Sequence, residues 1–111
     1  HNIIAVGTSD EALVAVINDL IRHQGGVVAG RDDEIKALPL PVAGLIAIED
    51  GEEVAQSYSL IDQYAKEQLG CTLAAPFMTL SFLALLVIPQ LKLSDLGLFD
   101  GQNFTFTNTM C

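Results

Sequence analysis

Side chains able to do chemistry are few in this chain and stand far apart. Its two histidines, His1 and His23, fall on separate predicted elements. A hydrolytic metal site needs several His, Asp or Glu side chains converging on one ion, and two isolated imidazoles do not supply that. His23 sits at a predicted helix end and reads as a cap, whereas His1 begins an apolar stretch. Adjacent acids occur at Asp32-Asp33, in a turn, and at Glu52-Glu53, at a helix start; both placements have ready structural uses. Thr79 and Ser81 lie in an apolar run with no base nearby in sequence, and their hydroxyls are expected to bond the backbone. Met78 and Phe82 of the same run are expected in the core. The chain has no CxxC, no HExxH, no GxSxG and no glycine-rich phosphate loop, and Gly44 and Gly51 belong to no phosphate-binding pattern. The residues taken alone therefore assign no catalytic group, no metal ligand and no cofactor-binding position.

Composition narrows the setting. A length of 111 residues fits one domain. A net charge of −9 with only five Lys and Arg leaves no basic footprint for nucleic acid and no attraction to an anionic membrane surface. Cys71 and Cys111 make no disulfide framework and read as small buried or terminal thiols, and no basic leader precedes the first apolar stretch. Half of the residues are hydrophobic, which is high for a free-standing domain and suggests a second surface that packs on something else. The apolar run between Pro76 and Pro89 is well short of the ~20 residues that span a bilayer as a helix. It is expected in the middle of a packed core.

The elements that must position these residues follow from periodicity. Asn2-Ile3-Ile4-Ala5-Val6 reads as a buried strand without a leader, as in a piece of a longer polypeptide. Thr8 and Glu11 read as a capping box before a helix carrying Leu13, Val16, Ile17, Leu20 and Ile21 on one stripe, ended by Gly25-Gly26. Val27–Ala29 and Glu34–Leu38 read as a hairpin across a Gly30–Asp33 turn, and Pro39 and Pro41 stop its ladder. Pro39–Leu45 is then an apolar loop. Asp50 and Glu53 cap a second helix with Val54, Tyr58, Ile61, Ala65 and Leu69 on one face, Glu52, Gln56, Asp62 and Lys66 on the other, and Gly70 at its end. Thr79 and Ser81 alternating with Met78, Leu80 and Phe82 favour a central strand over Phe77–Val87. Gln90–Gly97 reads as loop, and Phe104–Thr107 as a last edge strand. The predicted class is α+β: two helices packed on one face of a mixed, mainly antiparallel sheet in the order β-α-β-β-α-β-β.

Four blocks, HNIIAVGTSDEAL, LIRHQGGVV, ALPLPVAGL and GCTLAAPFMTLSFLALLVIPQLKLSDLGL, together resemble the C-terminal domain of bacterial adenine deaminase, a member of the metal-dependent amidohydrolase superfamily. They occur in family order from His1 to about Phe99. The resemblance implies that residues 1–111 are the C-terminal α+β part of a cytoplasmic enzyme that hydrolyses adenine to hypoxanthine and ammonia. In that family a divalent metal, manganese or iron, is held by histidines and an aspartate of a barrel upstream of this segment. By the same resemblance His1 and Asn2 lie near the barrel mouth, with His1 either orienting a metal ligand or touching substrate, and the segment binds no metal itself. Its partners are then the barrel and a second subunit, packed against Pro39–Leu45 and part of Phe77–Pro89. Two departures stand out: Leu86 replaces a customary proline, and the tail GQNFTFTNTMC diverges. The competing reading is a free-standing, non-catalytic binding or dimerisation module.

Overall fold

A hydroxyl in the right place starts the first helix. Ser9 is extended (φ −145°, ψ 157°) and its Oγ accepts from the Ala12 N–H at 3.2 Å, so α1 runs Asp10–Arg22 with Asp10 and Glu11 in its first turn. The cap is therefore Ser9 and not Thr8: the helix begins at Asp10, and it is the Ser9 hydroxyl that the Ala12 N–H reaches. These positions belong to a computed structural model that describes residues 2–31 and 33–108. His23 is the C-cap, as expected, and donates its N–H to the Asp19 carbonyl. Gln24 and Gly25 follow at positive φ, with the Gly25 N–H on the Leu20 carbonyl at 3.1 Å. A Cβ on Gly26 would lie 2.2 Å from the Leu38 carbonyl oxygen, so no side chain fits where helix becomes strand.

The predicted hairpin is present. Strands β1 (Gly26–Arg31) and β2 (Glu34–Pro39) pair antiparallel, with Val27 opposite Leu38 and Ala29 opposite Lys36. Helix α2 (Gly51–Glu67) starts at Asp50, whose Oδ1 accepts from the Glu52 N–H at 2.9 Å. Its Ile61 and Tyr64 close a core with Ala29 and Leu38, flanked by Val27, Leu40, Val54, Tyr58 and Phe77. Tyr64 was not on the predicted stripe, yet it is buried. Its hydroxyl donates to the Glu34 carbonyl at 3.3 Å, and Lys36 lies over its ring at 5.1 Å. Leu13, Val16, Ile17 and Leu20 of α1 are half-buried, while Ile21 is exposed. Ala5–Phe77 forms one compact unit; residues 2–4 and 78–108 form another, the division falling inside helix α3 (Pro76–Ala84).

Four expectations are corrected here. Asn2–Val6 is irregular and exposed, because no partner strand pairs with it among the described residues and apolar residues without a ladder make no strand. The Phe77–Val87 run is not a buried strand. Pro76 occupies the first helical position, where its missing N–H costs nothing, and Phe, Met, Leu and Ala carry the helix to Ala84. Met78, Phe82, Leu83 and Val87 are half or more exposed, so the run does not fill the core of this chain. Gln90–Gly97 is not a loop: Leu-Lys-Leu-Ser alternates, and β3 (Leu91–Ser94) turns through Asp95-Leu96 into β4 (Gly97–Asp100), with Gly97 at φ 124°. Finally, with a last strand β5 over Thr105–Thr107, the strands form two antiparallel sheets, β1-β2 and β3-β4-β5, in place of one mixed sheet. The α+β class holds, and β5 (Thr105–Thr107) is the edge strand expected there.

Candidate functional site

One buried acid was missed by the sequence reading. Asp19 is 7 % exposed, on the inner side of α1. Its Oδ1 pairs with the Arg22 guanidinium, and its Oδ2 lies 3.5 Å from His23 Nε2. The spacing was visible: Arg22 and His23 stand three and four residues after Asp19, where side chains share a helix face. A carboxylate holding an imidazole resembles the orienting half of a general base. Here the carboxylate is shared with arginine, and Arg22 lies on the last turn, where the helix dipole favours a cation. The arrangement therefore secures the α1 terminus.

The other candidates are dispersed. His1, Asp32 and Cys111 lie outside the described residues. Asp33 is exposed in the hairpin turn, and Glu52 and Glu53 are exposed in the first turn of α2, suiting its dipole. Thr79 and Ser81 stand on α3, and Cys71 is a half-exposed free thiol in the segment between α2 and α3. Asp100 is committed to its own turn, accepting from the Asn103 side chain at 2.8 Å and from the N–H groups of Asn103 and Gln102 at 3.1 and 2.8 Å. These bonds, the Asn103 amide foremost, hold its carboxyl below the usual carboxylate range. Among the described residues no three His, Cys, Asp or Glu side chains are placed to hold a metal ion. A shallow trough lies on the outer face of α2, between Glu52, Gln56, Leu60 and Gln63.

What the described residues offer is apolar surface. In the first unit, Val42, Leu45, Ile46 and Ile48 are exposed along the loop after β2, which closes on itself through a Val42–Ile46 bridge. In the second, Met78, Phe82, Leu83 and Val87 are exposed on and after α3, as are Leu91, Leu93 and Leu96 on the β3–β4 hairpin. Phe99 is buried there between the edges of Phe104 and Phe106, each with ring centroids 5.3 Å away. Contiguous exposure of large apolar side chains marks interaction surface. No helix among the described residues is long and apolar enough to cross a membrane.

Comparison with known proteins gives this surface a context. The family described as "Adenine deaminase C-terminal domain" matches residues 1–105. The chain is 52 % identical over 109 residues to an adenine deaminase of Sulfurovum sp. (strain NBC37-1), 50 % over 108 residues to one of Salinibacter ruber, and 51 % over 108 residues to one of Methanosarcina mazei. These matches cover 97–98 % of this chain but only 19–20 % of each relative. No solved structure matches it.

Proposed function

The chain belongs to the adenine deaminase C-terminal domain family, and from that membership we propose that residues 1–111 are the C-terminal domain of a cytoplasmic enzyme that hydrolyses adenine to hypoxanthine and ammonia. The observation that carries this reading is identity of about half over nearly the whole chain to proteins named adenine deaminase, of which the chain spans only about a fifth. The reacting water and the divalent ion that activates it, manganese or iron, belong to the preceding barrel. The described side chains do not converge as metal ligands, so no step of the reaction is assigned to them.

The role of these residues is then structural. Their apolar surface is covered in the whole protein by the barrel and by a second subunit, and His1, at the barrel mouth, orients a metal ligand or touches the substrate. Adenine turnover tests this directly. The full-length polypeptide is expected to convert adenine to hypoxanthine with release of ammonia, whereas residues 1–111 alone are expected to release none with manganese or iron added. Ammonia release by the isolated chain would place the reacting groups here and overturn the reading, and so would a full-length protein inert toward adenine.

A further inference from the structure

The pleat of strand β3 is inverted. Its sequence, Leu91-Lys92-Leu93-Ser94, alternates as a half-buried strand should, with the leucines on one face. The leucines nonetheless face outward: Leu93 is 77 % exposed and Leu91 53 %, while Lys92 and Ser94 on the opposite face are half-buried. Across from them on β4 the same face continues with Leu98, half-buried, opposite Leu93 and with Asp100 opposite Leu91, while Leu96, 76 % exposed, projects at the hairpin tip. Register is specified by which face is buried, and a one-residue slip would exchange the two faces. On that opposite face Phe99 stands across from both Lys92 and Phe106 and is buried, so the register serves the phenylalanines and leaves the leucines open to a further body.

We propose that this leucine face, formed by Leu91, Leu93 and Leu98 with Leu96 at its tip, seats the preceding domain of the same polypeptide. The proposal rests on the reading of the chain as the C-terminal part of a longer enzyme, and it names the surface by which the two parts join. Two observations favour that occupant. About four fifths of each matched relative lies outside the region this chain covers, so a large body is available to cover the face. Residues 2–4, the described residues nearest that body in sequence, belong to the same compact unit as the hairpin and not to the unit built on β1 and β2. A second copy of the chain is a poorer occupant, since each copy carries a net charge of −9 and two such bodies repel.

Hydroxyl-radical footprinting of the unmodified full-length protein tests the proposal without a substitution that could unfold the hairpin. Oxidation of Leu91, Leu93 and Leu96 is read by mass spectrometry against the same peptides in the urea-unfolded protein. The expected result is at least about tenfold slower oxidation at all three, unchanged when the protein is diluted to a monomer. Oxidation near the unfolded rate would show an open face and overturn the proposal. Protection that disappears on dilution would overturn it in favour of a second copy. Neither readout depends on adenine, so a protein that fails as a deaminase can still show the face covered, and an active deaminase can still show it open.

Discussion

The two compact units are built from similarly apolar sequence, yet only one of them closes a core. In Ala5–Phe77 a hairpin and helix α2 form two layers, and Ala29, Leu38, Ile61 and Tyr64 are shut between them. In residues 78–108 a three-stranded sheet buries one large side chain, Phe99, and leaves Leu91 and Leu93 outside. A small sheet without a second layer is marginal in water. The contrast teaches that an apolar stretch demands cover without saying where the cover comes from: α2 for the first unit, and by our proposal another domain for the second.

The strongest way to break that contrast is to charge the closed core. Ile61→Asp places an unpaired carboxylate at a site 3 % exposed. It should cost about 4 kcal/mol or more, a large share of a typical stability margin, and abolish cooperative urea unfolding of Ala5–Phe77. A soluble variant with the wild-type midpoint would show that the two-layer core is not what holds this unit. In the second unit Phe99→Ala removes the ring packed by Phe104 and Phe106. A loss of about 2–3 kcal/mol is expected, below the usual range for a fully enclosed phenylalanine, because both neighbouring rings remain largely exposed. Methyl and ring NMR shifts should move around Phe106 and stay in place around Tyr58 and Tyr64.

Legibility in the sequence divides along the same line. Elements whose stabilising partners are local could be read: the α1 stripe, the β1–β2 hairpin, Asp50 as a cap, His23 at a helix end, and β5 at the edge. Thr8 reads as the cap because Glu11, three residues on, completes a capping box, yet the helix starts at Asp10 and Ser9 takes the role with Ala12 in the third position. Elements that depend on cover could not be read. Thr79 and Ser81 imitate strand alternation, but Pro76 and a row of good helix formers set α3. Leu91 and Leu93 gave the alternation of a strand that the neighbouring Gln90 and Gly97 disguised as loop. The family was legible from four blocks of residues; Asp19, three and four residues before its partners, was not singled out because an acid between apolar positions suggests solvent.

Smaller substitutions sharpen the comparison. Ser9→Ala should cost about 1 kcal/mol in the thermal stability of Ala5–Phe77, while Thr8→Ala should cost far less; equal losses would return the cap to Thr8. Phe82→Asp tests the open side. At a position 50 % exposed it should cost the isolated chain under about 1 kcal/mol, in contrast to Ile61→Asp. Unfolding by this variant would show that α3 is enclosed in the chain itself.

The smallest effect is electrostatic. The Asn103 side-chain amide, with the N–H groups of Asn103 and Gln102, favours the ionised form of Asp100, so its carboxyl titrates lower in the folded than in the unfolded chain. The sign follows: this contribution is fully present above the ordinary carboxylate range and is lost as pH falls through that range and below it. Followed by carboxyl-carbon NMR, Asp100 should titrate below ordinary aspartates, and Asn103→Ala should bring its midpoint back toward them. A midpoint unmoved by Asn103→Ala would show that the two backbone donors alone organise the turn between β4 and β5, and with it the packing of Phe104 and Phe106 on Phe99.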